Sequence, residues 1–191
     1  MRTQRGAPAF AYPVFLEVKD KLCIVVGGGR VARRKVERLL AAGARVRVVS
    51  PVLEPGLASW AAEGVIEHWP RGYQHGDLAD GWLVFAATDR PDVNRAVAAE
   101  AEARRLWVNV ADSAAACTFV VPAVAVFDEV QIAISTSGRH PAQAKRLQER
   151  LVHDVAAGTC TFVSGLRARD GRRHDGAKPG GESETWSPTS S

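Results

Sequence analysis

The sequence has little of what a disulfide-stapled or metal-bound scaffold requires. Its 191 residues contain three cysteines, Cys23, Cys117 and Cys160, far apart and without C-x-x-C spacing. An odd count in that arrangement argues against a disulfide framework or a zinc site and reads as reduced thiols in a cytosolic protein. Long hydrophobic runs are also missing. The longest, from Phe119 to Phe127, is interrupted by Pro122 and falls far short of the roughly 18 residues a membrane span needs. No apolar stretch follows Arg2 and Arg5, so the N-terminus does not read as a secretory signal. Nor does one sign of charge dominate: 25 basic and 21 acidic side chains leave a formal +4. That balance helps attract an acidic small molecule but is too dispersed for nucleic acid. The expectation is a cytoplasmic protein with neither a membrane nor a nucleic-acid partner, and there is no internal repeat.

What is present is an alternation of short apolar runs and amphipathic segments. Leu22 to Val26 (LCIVV) reads as a buried parallel strand. Three glycines follow, and then Val31, Ala32, Val36, Leu39 and Leu40 recur at helical spacing up to a stop at Gly43. The basic run Arg30, Arg33, Arg34, Lys35, Arg38 within this segment reads as the solvated face of that helix. Arg45 to Val49, Val65 to Trp69, Trp82 to Ala87 and Trp107 to Val110 read as further strands. Helices are expected over Leu53 to Ala62 and Asp92 to Arg105. Such alternation implies a parallel sheet with helices on both faces and right-handed crossovers.

After Ala111 the pattern changes. Thr118 to Val126 and Val130 to Thr136 read as two antiparallel strands, joined at Phe127-Asp128-Glu129 and followed by a helix from about Pro141 to Val155. The apolar set Phe119, Val121, Val124 and Val126 reads as either core or a subunit surface, because a two-stranded unit is only marginally stable alone. From Arg167 onward the chain is rich in Gly, Pro, Ser and charge and reads as disordered. The expected organisation is a nucleotide-binding unit over 12–113, a hairpin-and-helix unit over 114–157 and a tail over 166–191.

Gly27-Gly28-Gly29-Arg30-Val31-Ala32 fits G-x-G-x-x-A, a variant of the dinucleotide fingerprint, and it stands where that fingerprint must stand, between a strand and a helix. Gly27 would permit the tight turn, Gly29 the approach of a pyrophosphate, and Ala32 close packing of helix on strand. The helix start supplies free N–H groups and a positive dipole end. The acid usually found at the end of the second strand is missing; Val49-Ser50-Pro51 stands there. Ser50 can hydrogen-bond a ribose hydroxyl but does not repel a 2′-phosphate, so the residues alone leave NAD and NADP open.

Tyr12-Pro13-Val14-Phe15-Leu16, the run LCIVVGGGRVARRK, Ala42-Gly43-Ala44 and Val49-Ser50-Pro51 begin an ordered series of motifs. It continues through Ala86-Ala87-Thr88-Asp89, Val93-Asn94, Asn109-Val110-Ala111-Asp112, Phe119-Val120-Val121-Pro122 and Ile134-Ser135-Thr136-Ser137-Gly138. The series spans roughly residues 12–155 and resembles the precorrin-2 dehydrogenase family, which includes the N-terminal half of bifunctional siroheme synthase. The resemblance implies an α/β, Rossmann-like parallel sheet with a small antiparallel dimerisation unit and a C-terminal helix. It implies a homodimer and the NAD-dependent oxidation of precorrin-2, a tetrapyrrole, to sirohydrochlorin. Fe²⁺ insertion is an added activity of some members; this sequence has about one helix where longer relatives have a helical region, so metal insertion stays open.

For individual residues, the resemblance implies that Gly27, Gly28, Gly29, Arg30, Val31, Pro51 and Val52 surround NAD, with Thr88 and Asp89 at its nicotinamide side. Asp112 corresponds to the family's important acid. It also follows the fifth strand, at the edge where open α/β sheets bind ligands. A carboxylate there, ionised at neutral pH, can act as general base; otherwise it is a turn-forming Asp. Asn109, Ser135, Thr136, Ser137 and Gly138 are expected to contact substrate carboxylates. The alternative for that last loop is a polar hairpin end capping the next helix near Ser137 or His140. His140 and His153 have no ligand spacing to another histidine, and no metal site is assigned. Two other functions compete: a non-catalytic NAD-sensing regulatory module, which needs neither Asp112 nor the hairpin, and a sirohydrochlorin chelatase without redox activity.

Overall fold

A computed structural model describes residues 12–160. The first and last residues of the chain, including the polar segment expected to be disordered, lie outside the described residues. Five strands form one parallel sheet in the order β3-β2-β1-β4-β5. They are β1 (Leu22–Val26), β2 (Arg45–Val49), β3 (Glu67–Trp69), β4 (Leu83–Ala86) and β5 (Trp107–Val110). Helices α1 (Arg30–Ala41), α2 (Pro55–Ala62) and α3 (Pro91–Ala103) make the crossovers. A short 3₁₀ turn, Ala114–Ala116, leads to the antiparallel pair β6 (Ala123–Phe127) and β7 (Val130–Ile134), and α4 (Pro141–Ala156) closes the unit.

The central strand β1 is buried on both faces, which is why it reads as an unbroken apolar run. Period-two alternation divides it between two cores. Cys23 and Val25 pack with Ala32, Val36 and Leu39 of α1 and Leu57 of α2. Ile24 and Val26 pack with Val97 and Ala101 of α3. Burial among aliphatics pushes the Cys23 thiol up to about 11, so it is a packing residue and not a nucleophile. Among the described residues, no helix is long and apolar enough to cross a membrane.

Two expected strands start two or more residues later than their apolar runs. Val65 and Ile66 spend their N–H groups on the Trp60 carbonyl, closing the end of α2, so the ladder with β2 begins only at Glu67. The expected strand over Thr118 to Val126 starts at Ala123. Thr118 is held on β5 instead, donating to the Val108 carbonyl at 2.9 Å and accepting from the Val108 N–H at 2.8 Å. Phe119 meets Phe85 edge-on with ring centroids 5.5 Å apart, and Pro122 has no N–H to offer a ladder.

This division splits the apolar set. Phe119 and Val121 pack against the core of the parallel sheet. The residues buried within the hairpin are Ala125 and Phe127, together with Ala144 of α4. Val124 and Val126 lie on the opposite hairpin face with Gln131 and Ala133. The turn is also one residue tighter than expected: Phe127 pairs with Val130, leaving Asp128-Glu129 as the connection.

One buried charge fastens an irregular loop to the sheet. The Glu100 side chain on α3 is fully buried. It accepts from the Tyr73 hydroxyl, from the Gly76 N–H at 2.9 Å and from Arg104 Nε at 2.7 Å, with His75 Nδ1 3.4 Å away. Burial pushes its carboxyl upward, but these donors outweigh that and hold it below the ordinary glutamate value. The sign of the linkage follows: this stabilisation is complete above the unfolded-state value and is lost as pH falls through the lower folded-state one. Glu100→Ala removes the shared acceptor of Arg104 and of two part-buried donors, Tyr73 and Gly76, and should cost about 1–3 kcal/mol. Urea unfolding at neutral pH checks the loss, and the variant should lose less further stability than the parent when the measurement is repeated in acid.

Candidate active site

Parallel strands run outward from β1 in both directions, so their carboxyl ends open a crevice between β1 and β4, where such sheets bind ligands. A cavity of about 790 Å³ occupies that place. The glycine turn forms its floor, with Val49 to Glu54 after β2 on one side and Ala87 to Arg90 after β4 on the other. Gly27 has φ +123°, and a Cβ there would sit 2.4 Å from the Ala87 carbonyl oxygen. A Cβ on Gly28 would sit 1.9 Å from the Val52 carbonyl oxygen. These two glycines let three loops meet. Gly29 is different: a Cβ there would meet nothing within 4 Å. It is the N-cap of α1, whose first turn is uncapped by any side chain and contains no acid. Open backbone N–H groups at an uncapped helix start suit a diphosphate, so the crevice fits a dinucleotide.

The loops beside the glycine turn are locked internally. Ser50 is buried, and its hydroxyl donates to the Val52 carbonyl at 2.7 Å, leaving only acceptor capacity for a ligand. Pro51 and Val52 are exposed on the crevice wall. Thr88 is tied to buried Asn94 by its own N–H, hydroxyl and carbonyl. Asp89, beside it, is exposed. An acid does line the crevice near the end of β2, later in the chain than the fingerprint predicts. This is Glu54, which caps α2 through Leu57 N–H at 2.8 Å and meets Arg33 at 3.6 Å.

A second cavity, of about 520 Å³, adjoins the first, and Val31 and Ala111 line both. Its walls come from α1, the end of β5, the segment before β6, the end of β7 and the start of α4. Asn109 is spent structurally: Nδ2 donates to the Phe119 carbonyl at 3.1 Å, and Oδ1 is 3.4 Å from Lys35 Nζ. Ser135, Thr136 and Gly138 line the cavity. Ser135 Oγ also accepts from the Ser137 N–H and Thr136 Oγ1 from the His140 N–H, so this loop both lines the cavity and leads into α4, whose N-cap is His140. His153 lies 3.1 Å from Asp154.

Asp112 is exposed on the turn after β5, next in sequence to Ala111, which lines both cavities, but Asp112 itself is in the lining of neither. Its carboxylate has no hydrogen bond or ion pair among the described residues. The turn carrying it is clamped by Cys117, whose sulfur accepts from the Val110 N–H at 3.1 Å and lies 3.3 Å from the Ser113 carbonyl.

Sequence reasoning missed Lys35, Asn94 and Cys117. The last two act through contacts across loops, for which no local pattern exists. Lys35 had a signal. Val31, Arg34, Lys35 and Arg38 fall at i, i+3, i+4 and i+7 and share one face of α1. The reading of that basic run as solvated holds for Arg30, Arg33, Arg34 and Arg38, which are exposed, and fails for half-buried Lys35.

Residues 14–123 match a family model described as "Putative NAD(P)-binding". The chain is 45% identical over 139 residues to siroheme synthase of Methylobacillus flagellatus, covering 73% of this chain and 30% of that protein. It is 46% identical over 161 residues to siroheme synthase of Thioalkalivibrio sulfidiphilus, covering 83% of this chain and 33% of that protein. Among solved structures it superposes on SirC, a precorrin-2 dehydrogenase, with TM-score 0.68 and 30% identity, covering 75% of this chain and 71% of the other. The chain belongs to the precorrin-2 dehydrogenase and siroheme synthase N-terminal family. It spans about a third of the length of the curated siroheme synthases it matches. The family's nucleotide-binding sheet and antiparallel pair are both present here, and the glycine turn lies within the matched segment.

Proposed function

We propose that this protein oxidises precorrin-2 to sirohydrochlorin with NAD, in siroheme biosynthesis. The observation that carries the reading is the junction of two cavities at Ala111, one with a dinucleotide-type glycine floor and one with a cationic wall. Bound NAD supplies a two-electron acceptor for hydride. The open N–H groups from Gly29 to Val31 would hold its diphosphate, and Arg30 lies beside them. Pro51, Val52 and the lone pairs of Ser50 would border its ribose, with Thr88 and Asp89 at the nicotinamide end.

The chain's own part in the chemistry is proton handling. The substrate loses a hydride and a proton for each new double bond. Asp112, on the turn after β5 beside cavity-lining Ala111, has an uncommitted carboxylate that would accept the proton. Asn109, Ser135, Thr136, Ser137 and Gly138 would border the macrocycle. Residues 12–113 would bind the cofactor, and residues 114–157 would pair two copies into a homodimer. The uncovered hairpin face with Val124, Val126 and Ala133 supports that pairing, as does the marginal stability of a lone hairpin. We also assign the protein to the cytoplasm.

An anaerobic assay tests the proposal. Purified protein given precorrin-2 and NAD⁺ should produce reduced nicotinamide, read by its near-ultraviolet absorbance, in step with sirohydrochlorin. Normal NAD⁺ binding with no turnover of precorrin-2 would sink it.

A further inference from the structure

The wall of the second cavity contains an unbalanced charge. Helix α1 turns Ala32, Val36 and Leu39 into the core, which leaves Val31, Arg34, Lys35 and Arg38 along the flank that faces the cavity. Lys35 reaches inward. Its ammonium lies 5.2 Å from the centre of the Phe85 ring and 3.4 Å from Asn109 Oδ1. Both partners are neutral, and no carboxylate pairs with Lys35 among the described residues. Four other cations around the sheet have acids: Arg33 with Glu54, Arg47 with Glu67, Arg71 with Asp77, Arg104 with Glu100. The lining of this cavity contains three cationic side chains and no Asp or Glu. Burial, followed by the like charges of Arg38 and Arg34, holds the Lys35 amine below the ordinary lysine value.

We propose that Lys35 is the carboxylate anchor of the substrate cavity, taking one acidic side arm of the macrocycle on its ammonium while Arg34 and Arg38 gather neighbouring arms at the rim. The assignment rests on the tetrapyrrole reading above and adds to it a specificity determinant. An ammonium has three donors, and a long contact to one amide leaves the others free for an incoming carboxylate. A ligand acid completes the ion pair that the protein leaves open, in a place where solvent screening is reduced. Asn109 then has two tasks: it steers the amine from one side and holds the segment at Phe119 from the other. A macrocycle with esterified or shortened acidic arms should be refused.

Three measurements on the full chain decide it. In the precorrin-2 assay, Lys35→Gln should raise KM by on the order of tenfold, the worth of one charge-assisted hydrogen bond. Its kcat and NAD⁺ affinity should stay close to those of the parent, and Lys35→Arg should recover part of the loss. Uroporphyrin, which carries eight carboxylates, should bind the parent protein and bind Lys35→Gln more weakly by a similar factor. Because a variant can fail to fold, the third measurement uses unmodified protein: an amine-reactive label on Lys35, quantified by mass spectrometry, should be suppressed by saturating uroporphyrin. An unchanged KM in a folded Lys35→Gln, or unprotected labelling, overturns the anchor while leaving the oxidation chemistry intact. Failure of the parent protein to turn over precorrin-2 overturns the functional reading instead, and uroporphyrin binding and Lys35 protection then judge the anchor by themselves.

Discussion

Gly29→Val is expected to fold and melt like the parent protein yet bind NAD⁺ about 100-fold more weakly, the worth of one or two charge-assisted hydrogen bonds. Gly28→Val, one residue earlier, is expected to lose the fold. The contrast follows from what each Cβ would meet. At Gly28 it would lie 1.9 Å from the Val52 carbonyl oxygen and 2.6 Å from Ser50 Oγ, and the Gly28 carbonyl already accepts the Glu54 N–H at 2.8 Å. Relief would require the β2–α2 loop to leave the turn, at a cost of about 4 kcal/mol or more. At Gly29 the added side chain meets no protein atom within 4 Å, and the backbone there is extended, at φ −90° and ψ −173°. A valine accepts that conformation. It would instead fill the space a diphosphate needs above the uncapped start of α1. Thermal melting and calorimetric titration with NAD⁺ separate the two outcomes. Tight NAD⁺ binding by folded Gly29→Val would mean the diphosphate rests elsewhere.

Asp112→Asn should lower the rate of NADH formation from precorrin-2 by on the order of 100- to 1,000-fold, the range for a lost general base. Binding of NAD⁺ and thermal stability should not change. The second half of that expectation is structural. The Asp112 carboxylate is exposed and holds nothing in place, whereas the turn beneath it is secured by Cys117 and the β5 backbone. An amide of the same shape therefore leaves the turn intact and removes only the proton acceptor. Steady-state kinetics with a parallel melting curve test this, and an Asn variant at full speed would make Asp112 a turn residue and nothing more.

The parallel sheet was legible because its signals are local. Five apolar runs, each followed by a helical period or a turn, correspond to β1 to β5, and the glycine turn stands between β1 and α1 as the fingerprint requires. The end of the β5 run, Val110, and the start of the α4 helix, Pro141, match their sequence signals residue for residue. Errors arose where an apolar residue had two partners to choose from. Val65 and Ile66 look like strand, but their N–H groups terminate α2. Phe119 and Val121 belong to the same apolar run as Val124 and Val126, yet the chain crosses from one layer to the next at Pro122, so the first pair packs on the parallel sheet and the second does not.

By itself, the order of residues determined the element sequence, the glycine cradle and the candidate acid after β5, because hydrogen-bond period, backbone permissiveness and strand-end position are all properties of short segments. Only the tertiary structure decided which of five neighbouring cations turns inward. It also decided that Glu100 anchors a loop more than twenty residues away and that Ser50 and Asn109 spend hydrogen bonds on their own surroundings. Those outcomes depend on charges and donors brought together from distant parts of the chain, and the energy of such a contact is set by burial, which no segment possesses until the whole is folded.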